Sequence, residues 1–242
     1  MKIIDGILRA ISRIEDIIAL SIALLLLVFS GYCYWDNRQI LEKASANVYE
    51  VYEPSVDNSY DFDTFVTSNS DVIGWIKIDS IGVSYPLLWR DNTFYVNHDA
   101  DGNSSLAGAI FLEHANSPDF TDFNSIIYGH HLNDGYMFGG FDNFLDEVFF
   151  EKNTTFDLYF KDSEGIWAWH TLTIVSVAEA NATDGAWYTP NISDTDLFKQ
   201  TLKTESLYTR KVERDNPRYV SLSTCKSQET NERIIITGIF ED

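Results

Sequence analysis

The chain has 242 residues, an apolar fraction of 45% and a formal charge of -20, with 37 acidic side chains against 17 basic ones. That length and composition supply a core for one large domain or two small ones without disulfide or metal staples. The acidity argues against a nucleic-acid partner, because phosphate binding needs clustered Lys and Arg, and it reads instead as a soluble, self-repelling surface.

From Ile17 to Trp35 there is no charged residue, and Ile17 to Phe29 is nearly all apolar. A helix over this run, at ~1.5 Å per residue, covers close to the ~30 Å of bilayer hydrocarbon. Tyr32, Tyr34 and Trp35 suit an interfacial aromatic belt, and Lys2, Arg9 and Arg13 precede the run. These features predict a single membrane span over 17–35, with a cytoplasmic segment 1–16 and the remainder exported. The run is long for a signal-peptide core and no small-x-small cleavage site follows it, so the expected anchor is uncleaved.

Arg38 to Glu53 is polar and permits a helix, with Ile40, Leu41, Ala44 and Val48 on one side. It fits a stalk or a first helix packed on the domain, and residues 36–70 are read together as this N-terminal segment. Pro54 and the Ser/Asp/Asn-rich piece after it interrupt the pattern.

From there a β pattern takes over, and residues 71–242 read as the main domain. Strand-like runs appear at 72–78, 83–88, 108–112, 125–128, 155–160, 166–177, 219–225 and 233–240. These make about eight strands, enough for a closed or nearly closed barrel. Two stretches break the rhythm. In 135–153 Met137, Phe141, Phe144, Leu145, Val148 and Phe149 recur at helical spacing. In 193–202 Ser193 and Asp196 form a variant capping box ahead of Leu197, Phe198 and Leu202. The expected fold is therefore mainly β, with helices in the connections and at the N-terminus.

The chemistry-bearing stretch is Tyr219-Val220-Ser221-Leu222-Ser223-Thr224-Cys225, followed by a polar loop and the strand that starts at Arg233. A hairpin here brings Cys225 beside Arg233. The other cysteine, Cys33, lies in the apolar run and cannot bridge to Cys225. An exported lone thiol points to reactivity.

A cysteine nucleophile needs a base or cation to hold it as thiolate, and a donor for the oxyanion that forms when it attacks a carbonyl. Among five histidines, His98 and His114 stand in polar loops and His170 in a strand, whereas His130 and His131 follow Ile126-Ile127-Tyr128-Gly129 at a strand end. A strand end is where a side chain is presented to a cleft. A metal site is disfavoured, because adjacent histidines on extended backbone point apart and no ligand-type spacing occurs. Ser221 and Ser223 lack a nucleophile-elbow context.

Tyr128-Gly129-His130-His131, Leu222-Ser223-Thr224-Cys225 and Arg233 heading an Ile-rich last strand resemble the sortases, membrane-anchored cysteine transpeptidases of Gram-positive bacteria. Ser221 replaces the first Thr of the family's Thr-Leu-x-Thr-Cys pattern. Gly74-Trp75-Ile76, Tyr85-Pro86-Leu87, Gly108-Ala109-Ile110-Phe111 and Met137-Phe138 look like class B members. The resemblance implies an eight-stranded sortase barrel behind a single transmembrane helix, in which Cys225 is the nucleophile, His130 the general acid and base, and Arg233 the oxyanion clamp. The backbone N–H of Lys226 is a further oxyanion donor by the same likeness. Ser223, Tyr128, Asn92, Thr183, Trp187 and Tyr188 are expected along the substrate groove, although Trp187 and Tyr188 also suit packing on the second helix.

The implied partners are secreted proteins with a C-terminal sorting signal of the Asn-Pro-x-Thr kind, cleaved after Thr, and an amine of a peptidoglycan precursor. The implied reaction uses no cofactor and no metal. It takes place at the outer face of the cell membrane. Two other readings are a cysteine peptidase that only hydrolyses and a non-catalytic wall-binding domain.

Overall fold

The computed structural model describes residues 2–55, 59–190, 195–225 and 231–241. The chain divides into two compact units, 1–42 and 43–242. The first unit is one helix, α1 (Lys2–Lys43), 42 residues long. Its apolar side chains, among them Ile17, Ile18, Leu20 and Leu24 to Val28, are exposed all round rather than along one stripe. A helix apolar on every side belongs in a protein core or in a membrane, and this one is long and apolar enough to cross a membrane.

The second unit opens with two 3-10 turns, Ala46–Val48 and Glu50–Tyr52, and then α2 (Ser59–Ser68). The Ser/Asp-rich piece expected to interrupt regular structure thus contains a ten-residue helix. Phe62, Phe65 and Val66 explain it, since their spacing puts three apolar side chains on one helical face. Phe62 meets Tyr159 and Trp167 edge-on, with ring centroids 5.3 and 5.2 Å away.

Among the described residues nine strands follow: β1 (Val72–Ile78), β2 (Val83–Trp89), β3 (Ile110–Leu112), β4 (Asn124–Tyr128), β5 (Thr155–Lys161), β6 (Trp167–Asn181), β7 (Ser206–Thr209), β8 (Tyr219–Cys225) and β9 (Glu232–Phe240). They are ordered β5-β1-β2-β3-β4-β8-β9-β6, and pairing of β5 with β6 closes these eight into a barrel. The short β7 continues where β5 leaves off, pairing with residues 176–178 of β6. A closed sheet has no free edge, and the interior is filled by one cluster that includes Trp75, Leu87, Phe141, Leu158, Leu222 and Ile236.

The last strand explains its own composition. Ile234 and Ile236 point into the barrel, while Ile235 and Ile239 point outward beneath α4 (Thr195–Glu205) with Phe198, Leu202, Trp187 and Tyr219. A strand covered on both faces reads as a continuous apolar run instead of an alternation. The capping box expected at Ser193 lies outside the described residues.

Residues 135–153 are not one amphipathic helix. They form 3-10 turns at Asn133–Gly135 and Gly139–Leu145, then α3 (Glu147–Lys152). Met137 has a positive φ of 52° and Gly139-Gly140 is a poor helix former, so no continuous helix runs through. Asp146 starts afresh by accepting the Phe149 N–H at 2.8 Å. The expected apolar residues Met137, Phe141 and Phe144 are nonetheless buried.

Buried tyrosines tie this segment to the barrel. The Tyr85 hydroxyl donates to the Ala44 carbonyl at 2.8 Å and accepts the Met137 N–H at 3.3 Å. Tyr95 donates to Asp71 at 2.9 Å. Burial, more than any neighbour, pushes both phenols up to about 12. Folded pKa values raised above the unfolded ~10 contribute stability that is fully present below about pH 10 and lost as pH climbs through the folded values. The thermal midpoint is therefore expected to be insensitive to pH approaching ~10 and to drop between roughly pH 10 and 12. A midpoint that holds across that window would contradict these assignments.

Candidate active site

Three strand ends converge on a groove of about 360 Å³. Strands β4 and β8 run parallel, with Asn124 beside Tyr219 and Tyr128 beside Ser223, and the Gly129 N–H continues the ladder to the Ser223 carbonyl at 3.2 Å. His130 and Cys225 each stand two residues beyond the last pair, at the same end of adjacent strands. Strand β9 runs back antiparallel to β8 and places Arg233 directly opposite Cys225. Arg233 stands two residues before Ile235 and so belongs to the outward face of the barrel that also carries Ser223. The hairpin read from the sequence is present, while Lys226 lies outside the described residues.

His130 and Arg233 line the groove with Tyr128, Tyr188, Ser223 and Thr224. The His130 ring places Nε2 2.7 Å from the Val96 carbonyl oxygen. A carbonyl can only accept, so Nε2 carries hydrogen and Nδ1 is the nitrogen that can gain or lose a proton. Its neighbour His131 turns aside to a hydrogen bond between Nε2 and Asp142 Oδ2 at 3.0 Å and is not part of the groove wall. The backbone enforces this split. A Cβ on Gly129 would lie 2.7 Å from the Phe138 ring, and the Phe138 N–H holds the His130 carbonyl at 2.9 Å.

One wall of the groove is a tyrosine pair. Tyr128 and Tyr188 stack with centroids 6.4 Å apart and planes 13° from parallel, and the Tyr188 hydroxyl lies 2.9 Å from Ser223 Oγ. Behind Tyr128 stands Glu113, which sequence reasoning missed because it sits in a polar loop. Its carboxylate accepts from the Tyr128 hydroxyl at 3.0 Å and from Asn92 Nδ2 at 2.6 Å. Asn92 Oδ1 in turn accepts the His114 N–H at 2.8 Å, so both ends of its amide are fixed. Burial, reinforced by Glu113, holds the Tyr128 phenol far above the usual tyrosine range, so it remains a donor.

Four of the six expected groove residues, Asn92, Tyr128, Tyr188 and Ser223, line it. Trp187 does not. It is 1% exposed and packs edge-on against Phe198 of α4, with centroids 6.3 Å apart. Asn124 Nδ2 also donates to the Trp187 carbonyl, at 3.4 Å, so this residue anchors the loop that presents Tyr188. Thr183 is exposed in the same loop, bonded through its N–H and hydroxyl to Asn181 Oδ1, and is likewise outside the groove wall. Val96, Phe111 and Ala182 complete the lining. Nothing in their sequence context distinguished them from ordinary apolar positions.

The sortase domain model matches residues 76–240. Sortase B of Listeria monocytogenes is 32% identical over 178 residues, 70% of each chain, and sortase B of Staphylococcus aureus is 28% identical over 183 residues, 73% of each. Among solved structures, a class B sortase of Streptococcus pyogenes involved in pilus biogenesis superposes with a TM-score of 0.68 at 31% identity, covering 75% of this chain and 98% of the other. The chain belongs to the sortase family, whose members are cysteine transpeptidases. Within that family its relatives and structural neighbours are class B sortases.

Proposed function

We propose that the chain is a membrane-anchored class B transpeptidase that cuts a C-terminal sorting signal of the Asn-Pro-x-Thr kind after Thr and passes the protein to an amine of a peptidoglycan precursor. The observation that supports this reading is the register that brings the backbone of Cys225 opposite Arg233 and one strand over from the β4 end that leads to His130, with His130 and Arg233 lining one groove. Residues 71–242 form the catalytic domain, 36–70 the stalk and N-terminal helical segment, 17–35 the anchor and 1–16 a cytoplasmic tail, with catalysis on the outer side of the membrane.

In the first half-reaction the Cys225 thiolate attacks the threonyl carbonyl. Arg233 and the backbone N–H of Lys226 stabilise the oxyanion, the C–N bond breaks, and the leaving amine takes a proton from His130. In the second, the acceptor amine attacks the thioester, gives a proton back to His130 and expels the thiolate. The Val96 carbonyl fixes Nε2–H and leaves Nδ1 to carry the moving proton. One amide replaces another, so the cycle requires no cofactor.

Products distinguish transfer from hydrolysis. A sorting peptide incubated with the full chain and rising amounts of an amine acceptor should shift from free acid to amide product, as read by mass spectrometry. Free acid alone at saturating amine would reject transpeptidation.

Gly108 gives a positioning test. Its φ is +60°, and a Cβ there would lie 2.8 Å from His130 Cδ2, 2.7 Å from the Tyr95 carbonyl and 2.8 Å from the Val96 carbonyl that holds Nε2. Gly108→Ala is expected to lower kcat by about 10- to 100-fold, because sub-ångström misplacement of a proton carrier is costly, and to lower the thermal midpoint as well. A lower midpoint with unchanged kcat would show that Gly108 does not set the position of His130.

A further inference from the structure

A second groove, of about 510 Å³, lies on the outer face beneath α4, toward the start of β8 and thus the far end of that strand from Cys225. Its lining carries four cations, Lys199, Lys203, Arg210 and Lys211, and no carboxylate. That is a local inversion in a chain where acids outnumber bases 37 to 17. Lys211 pairs with Glu213 at 2.7 Å beside the groove, whereas among the described residues Lys199 and Lys203 form no ion pair. They sit one helical turn apart on one face of α4, where like charges repel unless an anion lies between them.

The floor has a second feature. Strand β6 bulges at Val175, where its register against β9 steps from Ile174/Gly238 to Ser176/Thr237. Val175 packs in the outer cluster and Ser176 lines the groove beside it. Ser176 is 1% exposed, and its Oγ has no hydrogen-bond partner among the described residues. A buried hydroxyl facing a cation-lined groove without a protein partner is a place for a ligand oxygen.

The type of anion follows from which donors remain. Arg210 offers the groove's one planar fork, and both ends are engaged, Nη1 with the Ile174 carbonyl and Nη2 with the Phe150 carbonyl at 2.8 Å. Two of its five N–H donors are thereby spent on the fold and its plane is held in place, so the groove's mobile donors are the lysine ammoniums. Lysine ammoniums and single hydroxyls approach a tetrahedral phosphate from several sides. Leu202, Tyr219 and Ile239 give the groove an apolar wall for the body of the ligand. We propose that this groove binds a phosphodiester, in which Lys199 and Lys203 neutralise the phosphate, Ser176 donates to one of its oxygens and Arg210 supplies a fixed positive field. The source is either a soluble polyol-phosphate polymer or a lipid headgroup.

The test uses the full chain in phosphatidylcholine nanodiscs, titrated by calorimetry with poly(glycerol phosphate) and with an uncharged polyol, beside co-flotation with phosphatidylglycerol vesicles. Saturable binding of the polymer, weakened at least about tenfold in Lys199→Gln/Lys203→Gln, supports the proposal. The control pair Lys152→Gln/Lys161→Gln, which keeps the groove intact, should bind as wild type. The same pattern with vesicles but not polymer assigns the phosphate to a headgroup. Ser176→Ala, which leaves charge unchanged, should weaken binding about 3- to 10-fold. Absence of saturable binding in both arms, or equal losses in the control pair, overturns the site. Wild-type affinity in Ser176→Ala overturns the role of its hydroxyl.

Discussion

Replacing Cys225 with Ala is expected to lower peptide transfer by about four orders of magnitude or more, because the thioester route disappears and no other side chain can replace it. Ser223 and Thr224 are the nearest hydroxyls along the strand, but Ser223 is engaged with Tyr188, and both are 2% exposed. Neither can take over as nucleophile without leaving its packing. The substitution removes one sulfur from a strand end whose ladder is made by backbone groups, so the thermal midpoint should stay close to wild type. Sorting-peptide affinity, measured by fluorescence, should also persist, since the tyrosine wall and the Glu113 network are untouched. Transfer at a wild-type rate would assign the chemistry elsewhere, while lost binding together with lost transfer would indicate a damaged groove.

The second large effect is expected at Arg233. Its position opposite Cys225 is set by the antiparallel register, and its side chain is half-buried in the groove wall. Nη1 donates to the Glu232 carbonyl at 3.2 Å, which orients the fork. Its charge already reaches Tyr128 across the groove, easing that phenol's ionisation against the effects of burial and Glu113. Lysine keeps the charge and loses the planar pair of donors, so Arg233→Lys should lower kcat about 10²- to 10³-fold while KM changes only a few-fold. A matching loss in KM with kcat intact would make Arg233 a substrate-binding residue instead of an oxyanion clamp.

Much of this arrangement could be read from the chain because it rests on short-range pattern. The alternation in 219–225 fixed which residues share a face, and the polar loop before the Ile-rich run fixed a hairpin that opposes Cys225 to Arg233. The eight barrel strands were each marked by β-branched and aromatic runs. β7 escaped because four residues, Ser206 to Thr209, carry too little pattern, and it exists only to continue the edge of β6. α2 escaped because polar composition masked Phe62 and Phe65, whose value comes from the distant Tyr159 and Trp167. The failed helix in 135–153 had the right burial and the wrong backbone, since periodicity reports which side chains are inside but not where a positive φ interrupts the turns.

Long-range contacts account for the misses in the site as well. Glu113 is one acid among many until the fold brings it to Tyr128 and Asn92, residues 15 and 21 positions away. Trp187 and Tyr188 are adjacent in sequence and equally aromatic, yet one anchors the loop on α4 and the other faces the groove. Local sequence holds no signal for that division of labour. His130 and His131 were likewise separated by motif alone, and the fold supplies the physical reason: Val96 holds one ring in the groove and Asp142 draws the other aside.

The central claim is that an acyl group rests on Cys225 between cleavage and transfer. Intact-mass measurement of the full chain, quenched in acid during turnover of a sorting peptide, tests it most directly. The account predicts an adduct equal in mass to the peptide up to its threonyl residue, located on the tryptic fragment that contains Cys225 and discharged when an amine acceptor is added. An unmodified enzyme throughout turnover, or an adduct on any other fragment, would contradict it.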